Sequence, residues 1–382
     1  MSIKRAKATV RSIGTHAGRE NLDVPLDQGV TVTDEGAHHK IAVAVDGKMV
    51  SSAFILDFEQ QIGNCTVRMA GIGNVWTVHG QRKKGYARRM LSNMLRWVRQ
   101  EGFDTTMLFG IPRFYPKFGY VQAFPDTKFT VSVRDTETLG HGRVKFVSYK
   151  ARYLPALLRM HERNNAGRTG PVRRPGKRKP WRREVRVALS ELGRPIGYFS
   201  FDVGYDYMTV FEVGWTTRKV FPDIALAAAR IAAGLRLELV TYRLSEDHPL
   251  MEFCSSLRLR KRVTHRKDSG AQVRMVNIHT TLAKLVPDIG PRLRGSGSLN
   301  IATNLDSVSI VWSRGRCRIG APRKGKPTVR MPQWALAQLV YGYRTAGSMA
   351  IGGTVKGSAA SIEVVDKMFP IVPHSYYNAD RF

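Results

Sequence analysis

Between Val75 and Gly119 the chain passes from an apolar strand into a basic glycine loop, a helix, a second strand and an aromatic turn. That order leaves few folds open. The strand Val75, Trp76, Thr77, Val78 leads to Arg82-Lys-Lys-Gly-Tyr-Ala-Arg88, a loop of the form Arg-x-x-Gly-x-Ala. The loop opens a helix whose apolar residues Ala87, Met90, Leu91, Met94 and Val98 line one face of a 3.6-residue period. The free N–H groups of a helix start, the positive end of its dipole and the side chains of Arg82, Lys83 and Lys84 suit a pyrophosphate. Gly85 lets the backbone approach the anion with no side chain in the way. Gly102 and a strand, Thr105 to Phe109, follow, and then Phe114-Tyr-Pro-Lys-Phe-Gly119, in which Tyr115 offers a phenol able to donate a proton. A basic turn capping a helix is common by itself, whereas the full order is hard to reach by chance.

A chain of 382 residues exceeds the size at which single cores stop growing and predicts two or three domains. No run of 18 or more apolar residues occurs, so no membrane span is expected. The basic N-terminus, Met1 to Lys7, lacks an apolar stretch and a cleavage site, which argues against a secretory signal. Cys65, Cys254 and Cys317 lie far apart without metal or redox spacing, as expected of buried thiols in a reducing cytoplasm. The ten histidines form no His-x-x-His or Glu-x-x-His pattern, and no metal site is expected. The charge is unusual: 61 basic against 30 acidic residues, a formal net of +31. Such a surface attracts nucleic acid, acidic proteins or anionic membrane.

Upstream of the motif, Ile41 to Val45 and Met49 to Leu56 alternate around Asp46-Gly47, a hairpin signal, and Cys65 to Met69 reads as a further strand. Polar Asp135 to Gly142 marks a boundary. A second segment then repeats the strand–strand–helix order with Ile196 to Phe201, Met208 to Val213 and a helix from about Asp223, beside Pro222. Here Gly214-Trp-Thr-Thr-Arg-Lys-Val-Phe221 replaces the basic glycine loop, so a degenerate, core-forming duplicate without a cofactor is expected. The segment from Arg163 to Arg186 holds ten Lys or Arg and one acid, Glu184, broken by prolines and without apolar periodicity. It reads as a mobile surface loop, either merely solvated or a contact for nucleic acid or an acidic partner. Arg258 to Lys267 reads as an exposed basic strand face. In the third segment short alternating strands around Leu299, Ile310, Ile319 and Val329 precede helical patterns at Pro332 to Tyr341 and Ala359 to Phe369. Two prolines keep the last segment, Pro370 to Phe382, out of a helix, and its aromatic residues predict that it docks.

The stretch from Val75 to Gly119 resembles the coenzyme A site of the GCN5-related N-acetyltransferases, and the third segment looks like a sterol-carrier-protein-2-like domain. The three-part order, with Met275-Val-Asn-Ile278 at the second junction and Phe382 last, resembles the enhanced intracellular survival (Eis) family of these enzymes. The resemblance implies an α+β (mixed α/β) architecture: a catalytic domain over 1–143, a degenerate second acetyltransferase-like domain over 144–277 and the sterol-carrier-like domain over 278–382. It further implies acetyl-CoA as donor, Val75 to Val78 holding the pantetheine arm, Arg82 to Arg88 (with Gly85, Tyr86 and Ala87) holding the pyrophosphate, Tyr115 as general acid and the Phe382 carboxylate as general base. Family members assemble as hexamers and acetylate amines, notably of aminoglycosides and lysine side chains, and polyamines belong to the same chemical class. Where many members carry proline after the motif strand, this chain has His79-Gly80. A protein of +31 repels polycations at long range unless its pocket is locally acidic, and Asp380 is the acid nearest the terminus in sequence. The residues by themselves leave Tyr115 open as a core aromatic beside Phe114 and Phe118, and Phe382 as a docked apolar terminus. The rival function is a scaffold of this fold that binds nucleic acid or an acidic partner through the basic segment Arg163 to Arg186.

Overall fold

The computed structural model describes residues 20–140, 142–174, 176 and 180–382; the basic N-terminus and Pro175, Lys177, Arg178 and Lys179 of the basic segment lie outside the described residues. The first sheet begins with β1 (Val30–Asp34), β2 (His39–Val45), β3 (Lys48–Ile62) and β4 (Cys65–Thr77), joined antiparallel in chain order. Asp46 and Gly47 turn the β2–β3 hairpin with φ of 50° and 71°, the left-handed pair that a two-residue hairpin turn needs. Helix α1 (Tyr86–Gln100) then crosses to β5 (Thr105–Gly110), which lies parallel to β4, and β6 (Val121–Gln122) follows. The helix buries Met90, Leu91, Met94, Leu95 and Val98, as its period predicts. Each such side chain is worth about 1.5–3 kcal/mol of burial.

The second unit repeats the plan. The elements that follow along the chain are β7 (Asp126–Ser132), α2 (Val133–Glu137), β8 (Lys145–Ser148), α3 (Leu154–Asn164), β9 (Glu184–Leu189), β10 (Pro195–Val203), β11 (Met208–Trp215), α4 (Phe221–Gly234), β12 (Leu239–Tyr242), α5 (Pro249–Phe253), β13 (Leu259–Thr264) and β14 (Gly270–Met275). The two sheets run β1-β2-β3-β4-β5-β14-β6 and β8-β9-β10-β11-β12-β7-β13. In each, the sixth strand comes from the other half of the chain. β14 pairs with β5 in register from Gly270↔Gly110 to Met275↔Thr105, while β7 sits between β12 and β13. The sheets therefore exchange strands across residue 143, although the chain's polar stretch lies there. The exposed basic strand is β13, an edge whose Arg260, Lys261 and Arg262 face solvent.

The third unit starts with α6 (Ile278–Lys284) and α7 (Val286–Ile289). Its sheet is formed by β15 (Ser296–Ala302), β16 (Ser307–Ser313), β17 (Arg316–Gly320) and β18 (Thr328–Arg330) in the order β17-β16-β15-β18. The helices α8 (Gln333–Val340), α9 (Ala346–Ile351) and α10 (Ala359–Met368) complete it. α8 lies against β14 and β6. Gln333 donates to the Gly119 carbonyl (2.7 Å) and accepts from the Met275 N–H (3.0 Å), and Gln338 donates to the Gln122 carbonyl (2.8 Å). Among the described residues no helix is long and apolar enough to cross a membrane.

The basic segment departs from expectation. Where described, it is packed rather than mobile: Gly170 N–H donates to Gln61 O, Gln61 N–H to Pro171 O and Arg173 N–H to Glu59 O, each at 2.8 Å. Val172 and Trp181 are buried. The segment borrows its hydrogen-bond partners from the far end of β3, and no local periodicity announces such long-range pairing.

The exchanged strands make a testable statement about independence. A fragment ending at residue 143 loses β14 and leaves the β5 edge unpaired, with Val273 and Met275, both fully buried, removed from its core. Such a fragment is expected to aggregate and to lack a cooperative unfolding transition, measured by size-exclusion chromatography and circular dichroism.

Candidate active site

The two strands that frame the site pair in parallel from Met69↔Thr105 to Ile72↔Leu108 and then separate. The cause is local. β4 carries one residue too many against β3, where Ser52 pairs Trp76 and Phe54 pairs Gly73, and Asn74 takes φ of 46°. This bulge bends the strand away from β5 and leaves the β5-facing edge of residues 73–77 unpaired. What the sequence suggests as two strands, Cys65 to Met69 and Val75 to Val78, is thus one strand bent at Asn74. Val78 lies just past its end and donates its N–H to Val50 O (3.0 Å). Val75 and Thr77 are half-buried, and Trp76 is 43% exposed although large and apolar.

From there a short 3-10 turn, His79–Gln81, leads into the basic loop. Arg82, Lys83, Lys84, Gly85 and Arg88 are exposed; Tyr86 and Ala87 are half-buried. Arg82 Nε donates to Thr77 O (3.3 Å) and Lys84 Nζ to Gln81 Oε1 (3.0 Å), which folds both side chains back over the loop. Gly85 caps α1 with φ of 87°, a conformation a side chain would strain, so the glycine is needed for its dihedral. No acidic residue stands in the first turn of α1. The first-turn N–H groups, which no helix can satisfy internally, face an all-cationic loop. These residues fit a diphosphate.

Two rings flank the opening. Tyr115 begins a 3-10 turn, Tyr115–Phe118, with Phe114 edge-on at 5.0 Å. A Cβ on Gly110 would lie 2.6 Å from its Cδ2, so only glycine lets the ring reach the end of β5. Arg274 of β14, itself buried, donates to the Phe118 carbonyl and pairs with Glu20 at 2.7 Å. Burial pushes the Tyr115 phenol above its ordinary value, so it holds its proton at neutral pH. Phe382 lies on β4: a Cβ on Gly71 would meet its ring at 2.8 Å, and one on Gly73 would meet its carboxyl carbon at 3.1 Å. The same ring contacts Phe58 (5.4 Å) and Phe109 (5.6 Å). Because successive strand residues face opposite ways, Phe109 and Gly110 bring Phe382 and Tyr115 to opposite faces of the sheet where β4 and β5 part. Beside Gly110, the side-chain amide of Gln272 is fully buried and, among the described residues, has no hydrogen-bond partner at the edge of the site.

The docked tail is held by a buried ion cluster. Arg174 makes two 2.8 Å bonds to Glu212 and bonds of 2.7 and 3.1 Å to Asp380. Glu212 also accepts from Tyr198 (2.6 Å) and Trp181 (2.9 Å) and lies 3.1 Å from His161. Burial by itself would raise the Glu212 carboxyl; Arg174 and His161 override it and hold it far below the usual carboxylate range. Tyr376 donates to the Asp380 carbonyl (2.6 Å), Tyr377 to Asn165 (2.8 Å), and Ser375 N–H to Thr169 O (3.0 Å). Asp380 is 6% exposed and turns both carboxylate oxygens onto Arg174, which it shares with Glu212, so it is not presented to an acceptor as the sequence suggested. Arg174, Glu212, Gly71 and Gly73 are missed by sequence reasoning. The glycines did carry a signal, since Gly-x-Gly inside a strand marks a close approach.

Residues 30–123 match a family model described as an acetyltransferase (GNAT) domain. No curated protein matches the chain in sequence. Among solved structures the chain is similar to a probable N-acyltransferase from Enterococcus faecalis V583, with a TM-score of 0.76 at 15% identity over 91% of this chain and 90% of that one. It is also similar to a GCN5-related N-acetyltransferase from Kribbella flavida, with a TM-score of 0.71 at 18% identity over 90% and 87%. Eis1 from Mycobacterium abscessus gives a TM-score of 0.61 at 15% identity over 90% of each chain. These likenesses give the architecture: GNAT-like folds in tandem followed by a further sheet unit. The chain carries an acyltransferase domain.

Replacing Arg174 by Ala strands two carboxylates in the interior. The expected loss is about 3–5 kcal/mol of unfolding free energy, the cost of breaking a buried pair. Urea titration measures it, and protease cleavage within residues 370–382 should become faster in the variant.

Proposed function

We propose that the protein is an acetyl-CoA-dependent N-acetyltransferase acting on primary amines, with Tyr115 as general acid and the Phe382 carboxylate as general base. The observation that supports this most is the placement of those two residues on the two faces of the sheet at the β4–β5 opening, which runs out to the cationic start of α1. Coenzyme A fits the chain in two places. Its pyrophosphate meets Arg82, Lys83, Lys84, Arg88 and the N–H groups after Gly85, and its amide arm meets the unpaired edge at Val75, Trp76 and Thr77; Val78, whose N–H and carbonyl are bonded to Val50 and Gln81, only closes the end of that edge. The donor supplies an acetyl thioester whose C–S bond gives way to a C–N bond.

The chain's residues manage the protons. An ammonium group of pKa about 10 must become an amine before it can attack, and an ordinary carboxylate is a feeble base toward it. Desolvation in the closed site brings the two closer, so the Phe382 carboxylate, directly or through a water, takes that proton. Backbone N–H groups on the open β4 edge polarise the thioester oxygen as the amine attacks. Tyr115 gives its proton to the departing sulfur and regains one as the nitrogen sheds its second. In sum, an ammonium and a thioester become an amide and a thiol, with one proton released to solvent.

By the same resemblance we place aminoglycosides, polyamines and lysine side chains among the candidate acceptors, read the third unit as sterol-carrier-protein-2-like, and expect a homo-oligomer, a hexamer in that family. The basic segment gives little support to the scaffold reading, because Arg168 and Arg174 are consumed by ion pairs with Asp247, Glu212 and Asp380.

A thiol-release assay with acetyl-CoA against a panel of amines tests the proposal; no release with any amine removes it. Tyr115→Phe should lower kcat by about 10²–10⁴-fold, the usual contribution of a positioned acid, with little change in acetyl-CoA affinity by calorimetry. An unchanged kcat takes Tyr115 out of the acid role. Appending residues after Phe382 should be as damaging as deleting it, because either change moves the carboxylate; a fully active extended chain rules out the terminal base.

A further inference from the structure

The guanidinium of Arg381 sits over the Phe109 ring at 4.1 Å, and the same ring touches Phe382. Arg381 is exposed, and among the described residues it has no carboxylate partner, although its neighbours on the tail are fully engaged. The surroundings do not supply one. Asp126, an acid whose charge reaches Arg381, is already shared by Arg266 (2.8 Å) and Arg243 (3.4 Å), with Arg262 acting on it as well. Crowding by the surrounding protein disfavours the charge on Arg381, and Arg243 and Arg183 oppose it further. An arginine kept in such company, stacked on an aromatic ring and pointing no bonds at the protein, is held ready for an anion from outside.

Resting on the proposed amine acetylation, we infer that the acceptor is a primary amine that also carries an anionic group, a carboxylate or a phosphate, which Arg381 binds while the amine meets the Phe382 carboxylate. One residue's separation along the tail sets a cation and an anion side by side, complementary to an acceptor with the opposite pair of charges. A planar guanidinium pairs with either oxyanion through two parallel hydrogen bonds. The net charge of +31 favours the same choice: it repels a polycation at long range, whereas an acceptor whose ammonium is balanced by an anionic group escapes that repulsion. Aminoglycosides and polyamines offer Arg381 nothing to bind.

The test compares matched amines in the thiol-release assay. For the carboxylate arm, 4-aminobutanoate is set against butylamine and 1,4-diaminobutane; for the phosphate arm, 2-aminoethyl phosphate is set against ethanolamine. The anionic member of at least one arm should have the higher kcat/KM by roughly tenfold to a hundredfold, the scale of a hydrogen bond to a charged group. The arm that shows it identifies the anion. In Arg381→Gln the ratio of anionic to neutral acceptor should collapse toward one, mostly through KM, and Arg381→Lys should restore part of it. Turnover of neutral amines or diamines at equal or higher kcat/KM overturns this inference and leaves amine acetylation standing. A ratio unaffected by Arg381→Gln does the same. Absence of turnover with every amine overturns both.

Discussion

The place of the proposed base depends on one guanidinium. Arg174 stands between Glu212 on β11 and Asp380 in the tail, and all three are nearly free of solvent. Removing two carboxylates and a guanidinium from water is costly, and their mutual attraction repays the cost only with good geometry and further hydrogen bonds. Both conditions hold here. Glu212 has four protein groups around it, and Asp380 receives two bonds from Arg174. The cluster acts as a fixed anchor two residues before Phe382, so the carboxyl group of Phe382 is held against Gly73 by a short, stiff lever rather than by a free-swinging end.

The lever crosses all three units. The tail leaves the third unit after α10, bonds its His374 ring to the Tyr341 carbonyl at 2.8 Å, pairs with Thr169, reaches Arg174 beside the second sheet and ends on β4 of the first. Tyr115 is likewise placed by distant chain: Arg274 from the exchanged strand β14 and Gln333 from α8 hold the carbonyls of Phe118 and Gly119. The reaction centre is therefore a joint property of the folded chain, although only one unit carries the cationic loop.

The sequence made the local parts legible and left the long-range ones hidden. The α1 period, the Asp46-Gly47 turn and the loop around Gly85 follow from neighbouring residues, and the structure has each of them. The exchange of β7 and β14 is invisible in the pattern, because either strand would satisfy an edge in its own half as well as in the other. The Arg163 to Arg186 segment misled for a related reason. Its composition is that of a solvated loop, yet Val172 and Trp181 pack inward, and Arg174 finds its acids 38 and 206 residues away in the chain. A charge run tells how many counter-charges are wanted but not where they lie.

The two sheets put the same local geometry to two uses, one opening and one anchor. β11 carries its own bulge against β10, where Ser200 pairs Glu212 and Phe201 pairs Val210, just past the end of its parallel pairing with β12 at Val210↔Tyr242. The bulge in β4 stands at the same point, just past Ile72↔Leu108. In the first sheet that point is lined by glycines and stays open apart from Phe382. In the second it presents Glu212, and Arg174, Trp181 and Tyr198 fill the space around it. Beyond it the helix start also differs: Pro222 in the first turn of α4 removes an N–H group that an anion would need, where the first unit has Tyr86 and Ala87. The second sheet thus supplies the socket for Arg174 and Asp380, which hold the tail in the first. The bulge in β11 therefore has a structural use of its own without a cationic loop beside it, since it turns Glu212 to Arg174.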